Sequence, residues 1–198
     1  MRNIYVYTGL GAYQARDIEN FLAVFEYDYL RISENDFDQM SSSDVLIVPG
    51  GEIESYIPAW KKSGVEIIKK FVSSGGIYIG ICAGAYVAGR DFEGVHALSF
   101  FGTDLMYKKG HGIINVTNAI GEKCQLINEN GPDLSGISAD EIILKDINNK
   151  PYAIKLNYGQ GYAYLFSAHP EGSVYYKQYP DVFTGARFLD HFIKSLPL

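Results

Sequence analysis

The sequence predicts an α/β fold with a mostly parallel central sheet and additional antiparallel strands in its C-terminal half. In the first half, short apolar runs alternate with helical patterns, which is typical of parallel strands joined by crossover helices. From about residue 94 the segments become shorter and alternate between apolar and polar residues, which favours antiparallel strands. The 198 residues contain no repeat and no linker, so we expect a single domain over residues 1–198.

The first half of the chain supplies the parallel strands. Strands are predicted over residues 4–8, 29–32, 45–48 and 77–81, and helices over residues 17–25, 65–72 and 83–88. The unbroken aliphatic run at 45–48 is expected where helices cover both faces of a strand. The helix at 83–88 follows its strand almost without a loop, so the chain turns sharply there.

The second half supplies the antiparallel strands and a final helix. The predicted strands cover residues 112–117, 125–128, 141–146, 152–157 and 161–167. Asn148 and Asn149 are suited to a hairpin turn between two of them. Residues 185–196 have the apolar spacing of an amphipathic helix, which we expect to dock on the sheet.

Composition and charge exclude several classes of protein. The formal net charge is -6 and the basic residues are scattered, so we expect no nucleic-acid partner. No apolar run is long enough to cross a bilayer and the N-terminus begins as a strand, so we expect no membrane association and a cytoplasmic location. Cys82 and Cys124 are not in metal-ligand spacing, and Gln14 stands where a dinucleotide-binding loop needs glycine, so we expect neither a metal nor a cofactor.

The sharpest motif is the G-x-C-x-G sequence from Gly80 to Gly84, between a buried strand and a helix. A nucleophile on such a turn is held in strained backbone, and its side chain is expected to project into solvent or a cleft. The pattern predicts Cys82 as a nucleophile. The N–H of Ala83, with those of Gly50 and Gly51, is suited to an oxyanion hole. The alternative is that Cys82 is a small buried residue in a tightly packed turn.

The base for this nucleophile is predicted in His169-Pro170-Glu171, directly after the apolar strand at 161–167. In extended chain, His169 and Glu171 point to the same side, so the carboxylate can orient the imidazole. The alternative is an ordinary surface turn after a strand.

Three motifs in this order, at 48–51, 80–84 and 169–171, resemble the class I glutamine amidotransferase-like superfamily. Within it, Pro49-Gly50-Gly51 with Tyr56 nearby, followed by residues 75–86, resembles the domain found N-terminal to some biotin-protein ligases. The resemblance implies a flavodoxin-like three-layer sandwich, a Cys82-His169-Glu171 triad, and a biotin ligase or a synthetase as partner. Members that hydrolyse glutamine usually carry Gln where this chain has Tyr86.

These residues therefore suggest two alternative functions. The first is an enzyme, a hydrolase or acyl transferase acting on a small amide, with Tyr86 and Glu52 as substrate-binding residues. The second is a non-catalytic binding or regulatory module. It is motivated by Tyr86 and by clustered tyrosines that are able to form a recognition surface, namely Tyr158, Tyr162, Tyr164, Tyr175, Tyr176 and Tyr179. The alternative, and the commoner case for tyrosines at alternate strand positions, is plain sheet packing.

Overall fold

The structure is a computed structural model that describes residues 3–92, 95–105, 107–178, 181 and 183–196. Within these ranges the strands are β1 (Ile4–Tyr7), β2 (Leu30–Ile32), β3 (Val45–Val48), β4 (Ile77–Ile81), β5 (Asp91–Phe92), β6 (Val95–His96), β7 (His111–Thr117), β8 (Lys123–Glu129), β9 (Glu141–Lys145), β10 (Pro151–Tyr158) and β11 (Gly161–Phe166). The helices are α1 (Ala15–Val24), α2 (Ile53–Ser73), α3 (Ala83–Tyr86) and α4 (Thr184–Ser195), with 3₁₀ helices at Phe37–Gln39 and Glu171–Tyr176.

Nine of these strands form one mixed sheet in the order β2-β1-β3-β4-β11-β10-β9-β7-β8, and β5 and β6 form a separate pair. Strands β1 to β4 pair in parallel, and β11 runs parallel to β4. The remaining strands pair antiparallel, with a turn at residues 146–150 between β9 and β10. The predicted α/β fold, mostly parallel in its first half and antiparallel in the rest, is confirmed.

Two hydrophobic clusters cover the two faces of the sheet. Because side chains alternate along a strand, Leu46 and Val48 belong to one cluster while Val45 and Ile47 belong to the other. Helices α2 and α3 contribute to the first cluster, and α1 and α4 to the second. All four residues of β3 are buried, which explains its wholly aliphatic sequence.

Helix α2 differs most from its prediction. It begins at Ile53 rather than residue 65, and it is kinked at Lys61, whose φ of 56° and ψ of 176° are non-helical. Pro58 and Gly64 interrupt the helical pattern in the sequence, which is why only the second segment was predicted. Both segments nevertheless pack on the sheet, because Tyr56 and Trp60 join the same cluster as Ile68.

Helix α3 ends at Tyr86, two residues earlier than predicted. In the described part of the chain, no helix combines the length and the apolar character that a membrane crossing requires.

Candidate active site

Cys82 lies at the carboxyl end of β4, where the chain turns directly into α3. Its φ of 51° lies in the left-handed region, which costs a non-glycine residue energy and is typical of a nucleophile held on a tight turn. The flanking glycines are required by close packing: a Cβ on Gly84 would lie 2.1 Å from the Val48 carbonyl oxygen, and one on Gly80 would lie 2.5 Å from the Gly84 oxygen. The G-x-C-x-G motif therefore has a steric cause.

The sulfur of Cys82 is covered rather than open to a cleft. The residue is only 8% exposed, and its thiol donates a hydrogen bond to the Glu129 carbonyl oxygen at 3.4 Å. The expectation that the side chain projects into solvent or a cleft is wrong for this structure, because the end of β8 lies over the turn.

His169 follows β11, the strand that runs beside β4. Its backbone N–H donates to the Ile127 carbonyl oxygen at 2.8 Å, which ties it to β8. Its ring Nδ1 lies 2.8 Å from the Glu171 Oε1, and both side chains are buried. Because an ionised carboxylate only accepts hydrogen bonds, Nδ1 carries the proton of this pair, which leaves Nε2 as the atom that exchanges one.

The Nε2 atom of His169 is buried and has no hydrogen-bond partner among the described residues. Burial disfavours the charged ring, but Glu171 and the Cys82 sulfur outweigh it and raise the pKa of His169 well above its usual value. The structure thus brings Cys82, His169 and Glu171 together at one end of the sheet.

The backbone that joins His169 to Glu171 is not the extended chain expected from the sequence. Pro170 has helical angles, φ -68° and ψ -35°, and Glu171 begins the 3₁₀ helix that runs to Tyr176. The Ser173 hydroxyl donates to the Pro170 carbonyl oxygen at 2.9 Å and holds this turn. The interpretation of an extended segment is wrong, although the two side chains meet as expected.

Gly50, Gly51 and Ala83 present backbone N–H groups at the same end of the sheet. None of these groups donates a hydrogen bond to another described residue. Gly50 lies against the imidazole, since a Cβ there would be 2.7 Å from the His169 Cε1. Gly51 lies against the Gly11 carbonyl oxygen, to which a Cβ would come within 2.0 Å. Their role as oxyanion donors stays a prediction.

Comparison with known proteins identifies the fold. The structure of PurLQS from Thermotoga maritima is similar over 96% of each chain, with 15% identity and a TM-score of 0.71. A crystal structure of a glutamine amidotransferase is similar over 95% of this chain and 98% of that one, with 15% identity and the same TM-score of 0.71. The chain has a glutamine amidotransferase-like fold.

The first half of this glutamine amidotransferase-like chain, residues 2–97, matches the family described as "Biotin-protein ligase, N terminal". The match ends before the His169 segment. A protein from Thermoplasma acidophilum, described as a GMP synthase component, is similar over 99% of this chain and 97% of that one, at 16% identity and a TM-score of 0.59. No curated protein matches the chain.

Of the two predicted substrate-binding residues, Tyr86 is enclosed. Its hydroxyl donates to the Asn130 carbonyl oxygen at 2.9 Å and accepts from the Lys108 N–H at 3.0 Å. Burial raises the pKa of Tyr86 to about 12. Glu52 is exposed, and its carboxylate accepts hydrogen bonds from the hydroxyls of Tyr13 and Ser55. Substrate binding by either residue stays a prediction.

Two residues at the site were missed in the sequence. The Gln14 Nε2 donates to the Glu129 Oε2 at 2.8 Å, and the Gln14 Oε1 lies against Gly50, where a Cβ would come within 1.8 Å of it. Gln14 lies in the segment that follows β1, and such segments at the carboxyl ends of parallel strands commonly carry site residues. Glu129 ends an antiparallel strand, for which the sequence offers no comparable signal.

Among the described tyrosines proposed as a recognition surface, Tyr164 is buried, Tyr158 and Tyr162 are half-buried, and Tyr175 is exposed. Tyr164 is buried against Phe192, with ring centroids 4.9 Å apart, and Tyr158 packs on Phe100 at 4.8 Å. Tyr175 is exposed, and its hydroxyl donates to Asp17 at 2.5 Å. Tyr179 and the side chain of Tyr176 lie outside the described residues.

A cleft of about 790 Å³ lies beside α4 and the β7–β8 hairpin, and it is not lined by Cys82, His169 or Glu171. Lys123, Tyr164 and Phe188 are among its lining residues, whereas Cys82 and His169 are not. In the ranges that the structure describes, no group of three or more His, Cys, Asp and Glu side chains is placed to hold a metal ion. The candidate site is therefore the buried group of Cys82, His169 and Glu171 rather than this cleft.

Proposed function

We propose that this protein is a cysteine-dependent acyl-transfer enzyme that hydrolyses a small amide. Cys82 acts as the nucleophile, His169 as the base, and Glu171 as the residue that orients the base. One observation carries the proposal. The His169 Nδ1 is 2.8 Å from the Glu171 Oε1, while Nε2 is buried without a partner among the described residues, on a ring whose pKa responds to the Cys82 sulfur.

The proposed reaction proceeds in two steps. The Cys82 proton passes to the His169 Nε2, and the sulfur attacks the carbonyl carbon of the amide to form a tetrahedral oxyanion. Collapse of this intermediate breaks the carbon–nitrogen bond, and the leaving amine takes the proton from Nε2. Water, deprotonated by the same nitrogen, then attacks the thioester, which releases the acid and restores the thiol.

The oxyanion is stabilised by backbone donors in this proposal. The N–H groups of Ala83 and of Gly50 and Gly51 have no partner among the described residues, so they are available to a developing negative charge. Removing one such donor from an enzyme typically lowers the rate on the order of 100-fold or more. In this proposal the donors come from the carboxyl ends of both β3 and β4.

Glutamine is not the substrate that the residues favour. Tyr86 stands where glutamine-hydrolysing members usually carry Gln, and its hydroxyl is hydrogen-bonded to two backbone groups of the protein. We therefore propose a small amide other than glutamine.

The test is the reactivity of Cys82 toward iodoacetamide, followed by mass spectrometry in a Cys124→Ser background. We expect Cys82 to react at neutral pH at least about tenfold faster than free cysteine, because the imidazole takes up its proton. His169→Gln removes this advantage. The control His191→Gln, at an exposed position of α4, leaves it unchanged. A Cys82 that reacts no faster than free cysteine overturns the proposal.

A second candidate is a binding module that performs no turnover and associates with a biotin ligase or a synthetase. The covered sulfur favours it, because Cys82 is 8% exposed and is bonded to the Glu129 carbonyl oxygen. This candidate predicts co-purification with the partner enzyme that Cys82→Ser leaves intact, together with an unreactive Cys82.

Two broader expectations accompany these candidates. The flavodoxin-like three-layer arrangement is supported by the helices that pack on each face of the sheet. The cytoplasmic location and the absence of a cofactor stay predictions.

A further inference from the structure

We infer that Gln14 and Glu129 form the substrate-selecting rim of the site, and that this rim selects an acyl substrate carrying an amine or guanidine cation. The inference rests on the proposed function, because it assigns a substrate class to the same site. It begins from the buried His169 ring, which is 2% exposed and whose Nε2 has no partner among the described residues. This nitrogen and the Cys82 sulfur that raises the pKa of the ring are the reacting atoms of the proposed site, so a substrate has to reach them.

Gln14 is adjacent to that ring. Gly50 lies against both side chains. A Cβ on Gly50 would be 2.7 Å from the His169 Cε1 and 1.8 Å from the Gln14 Oε1. The Gln14 backbone N–H also donates to the Gly50 carbonyl oxygen at 3.2 Å. The amide of Gln14 is thereby fixed beside the glycines proposed to hold the oxyanion.

Glu129 is placed over the nucleophile by its own backbone. Its carbonyl oxygen accepts the Cys82 thiol at 3.4 Å, so its carboxylate extends from the residue that covers the sulfur. That carboxylate is exposed, and its hydrogen-bond partner is the neutral Gln14 amide at 2.8 Å. Across the described ranges, it makes no ion pair with a lysine, arginine or histidine.

A second exposed carboxylate borders the same segment. Glu52 accepts a hydrogen bond from the hydroxyl of Tyr13, the neighbour of Gln14, at 3.2 Å. Its backbone N–H donates to the Gly11 carbonyl oxygen at 2.9 Å, which holds it next to Gly51. Two exposed carboxylates, Glu129 and Glu52, therefore bond to the neutral side chains of the adjacent residues Gln14 and Tyr13. A cationic group on the substrate gives them a charge-assisted partner, whereas an anionic substrate is repelled.

The test uses two methanethiosulfonate reagents of opposite charge, aminoethyl and sulfonatoethyl, on the full chain carrying Cys124→Ser. The rate of Cys82 modification is measured with each reagent by mass spectrometry. One unit charge near an exposed site changes each rate about threefold in opposite directions, so Glu129→Gln is expected to lower the cation-to-anion rate ratio about tenfold. The control Glu141→Gln, at an exposed position on β9, leaves the ratio unchanged.

The outcomes separate this inference from the proposed function. If Cys82 reacts with both reagents and Glu129→Gln does not change the ratio, the selection of a cation is overturned while the proposed function stands. If Cys82 reacts with neither reagent, both the proposed function and the selection of a cationic substrate are overturned. A lowered ratio in Glu129→Gln, with the same thermal unfolding midpoint as the parent chain, supports the inference.

Discussion

Replacement of Gly84 by alanine is the most direct test of the turn that carries Cys82. A Cβ at this position would lie 2.1 Å from the Val48 carbonyl oxygen, which is 0.9 Å inside the 3.0 Å limit that real Cβ contacts keep. The atom it meets belongs to the backbone of a central strand, so relief requires β3 and α3 to separate. Overpacking of a core typically costs about 1–3 kcal/mol, and we expect Gly84→Ala to reach or exceed about 3 kcal/mol because no side chain is able to give way.

The measurement is thermal and denaturant unfolding followed by circular dichroism. For a chain of this size, about 3 kcal/mol corresponds to a fall of roughly 6–12 °C in the unfolding midpoint. Gly136→Ala is the matched control, since a Cβ there meets nothing within 4 Å, and we expect its stability to change by less than about 1 kcal/mol. A Gly84→Ala protein as stable as the control would refute the steric explanation of the G-x-C-x-G motif.

Three further changes test other parts of the structure. Glu171→Gln removes a group that raises the pKa of His169. The stabilisation from the raised pKa is complete below about pH 6.5 and is lost as the pH rises through the raised value. The difference between the unfolding free energies of parent and variant, from urea titrations, should therefore shrink as the pH is raised above about 6.5. A constant difference would contradict this reasoning. Lys61→Gly should stabilise the protein by about 1 kcal/mol because it relieves a positive φ of 56°, whereas Lys62→Gly, one residue further along α2, should destabilise it in the same urea titrations. Tyr86→Phe removes two partly buried hydrogen bonds and should cost about 1–3 kcal/mol in calorimetry; no loss would show that the hydroxyl contributes nothing.

The parallel strands were predicted well because strands that are buried on both faces consist almost entirely of apolar residues. Residues 45–48 and 77–81 form strands with the predicted bounds, since burial on both faces demands an unbroken aliphatic run. The start of α2 was missed because Pro58 and Gly64 break the helical pattern, and only packing on the sheet reveals that both segments belong to one element.

At the site, the sequence correctly predicted which side chains meet, but it predicted the wrong backbone conformation between them. His169 and Glu171 are in contact, but through a helical Pro170 and a 3₁₀ turn rather than through extended chain. The residue that covers Cys82 was not predictable, because Glu129 is 47 residues away in the sequence. An isolated β-bridge between Ile127 and His169 joins the end of β8 to the same region. Such a contact depends on tertiary approach and leaves no periodic trace in the sequence.

The position of β11 has a consequence for how this molecule is made. This strand fills the gap between β4 and β10, so the edge of β4 stays open until residues 161–166 have left the ribosome. An open edge is a template for pairing with other chains, which makes a partly synthesised or truncated molecule prone to aggregate. The same late strand delivers His169, so a nascent chain carries the cysteine turn long before it carries the imidazole beside it.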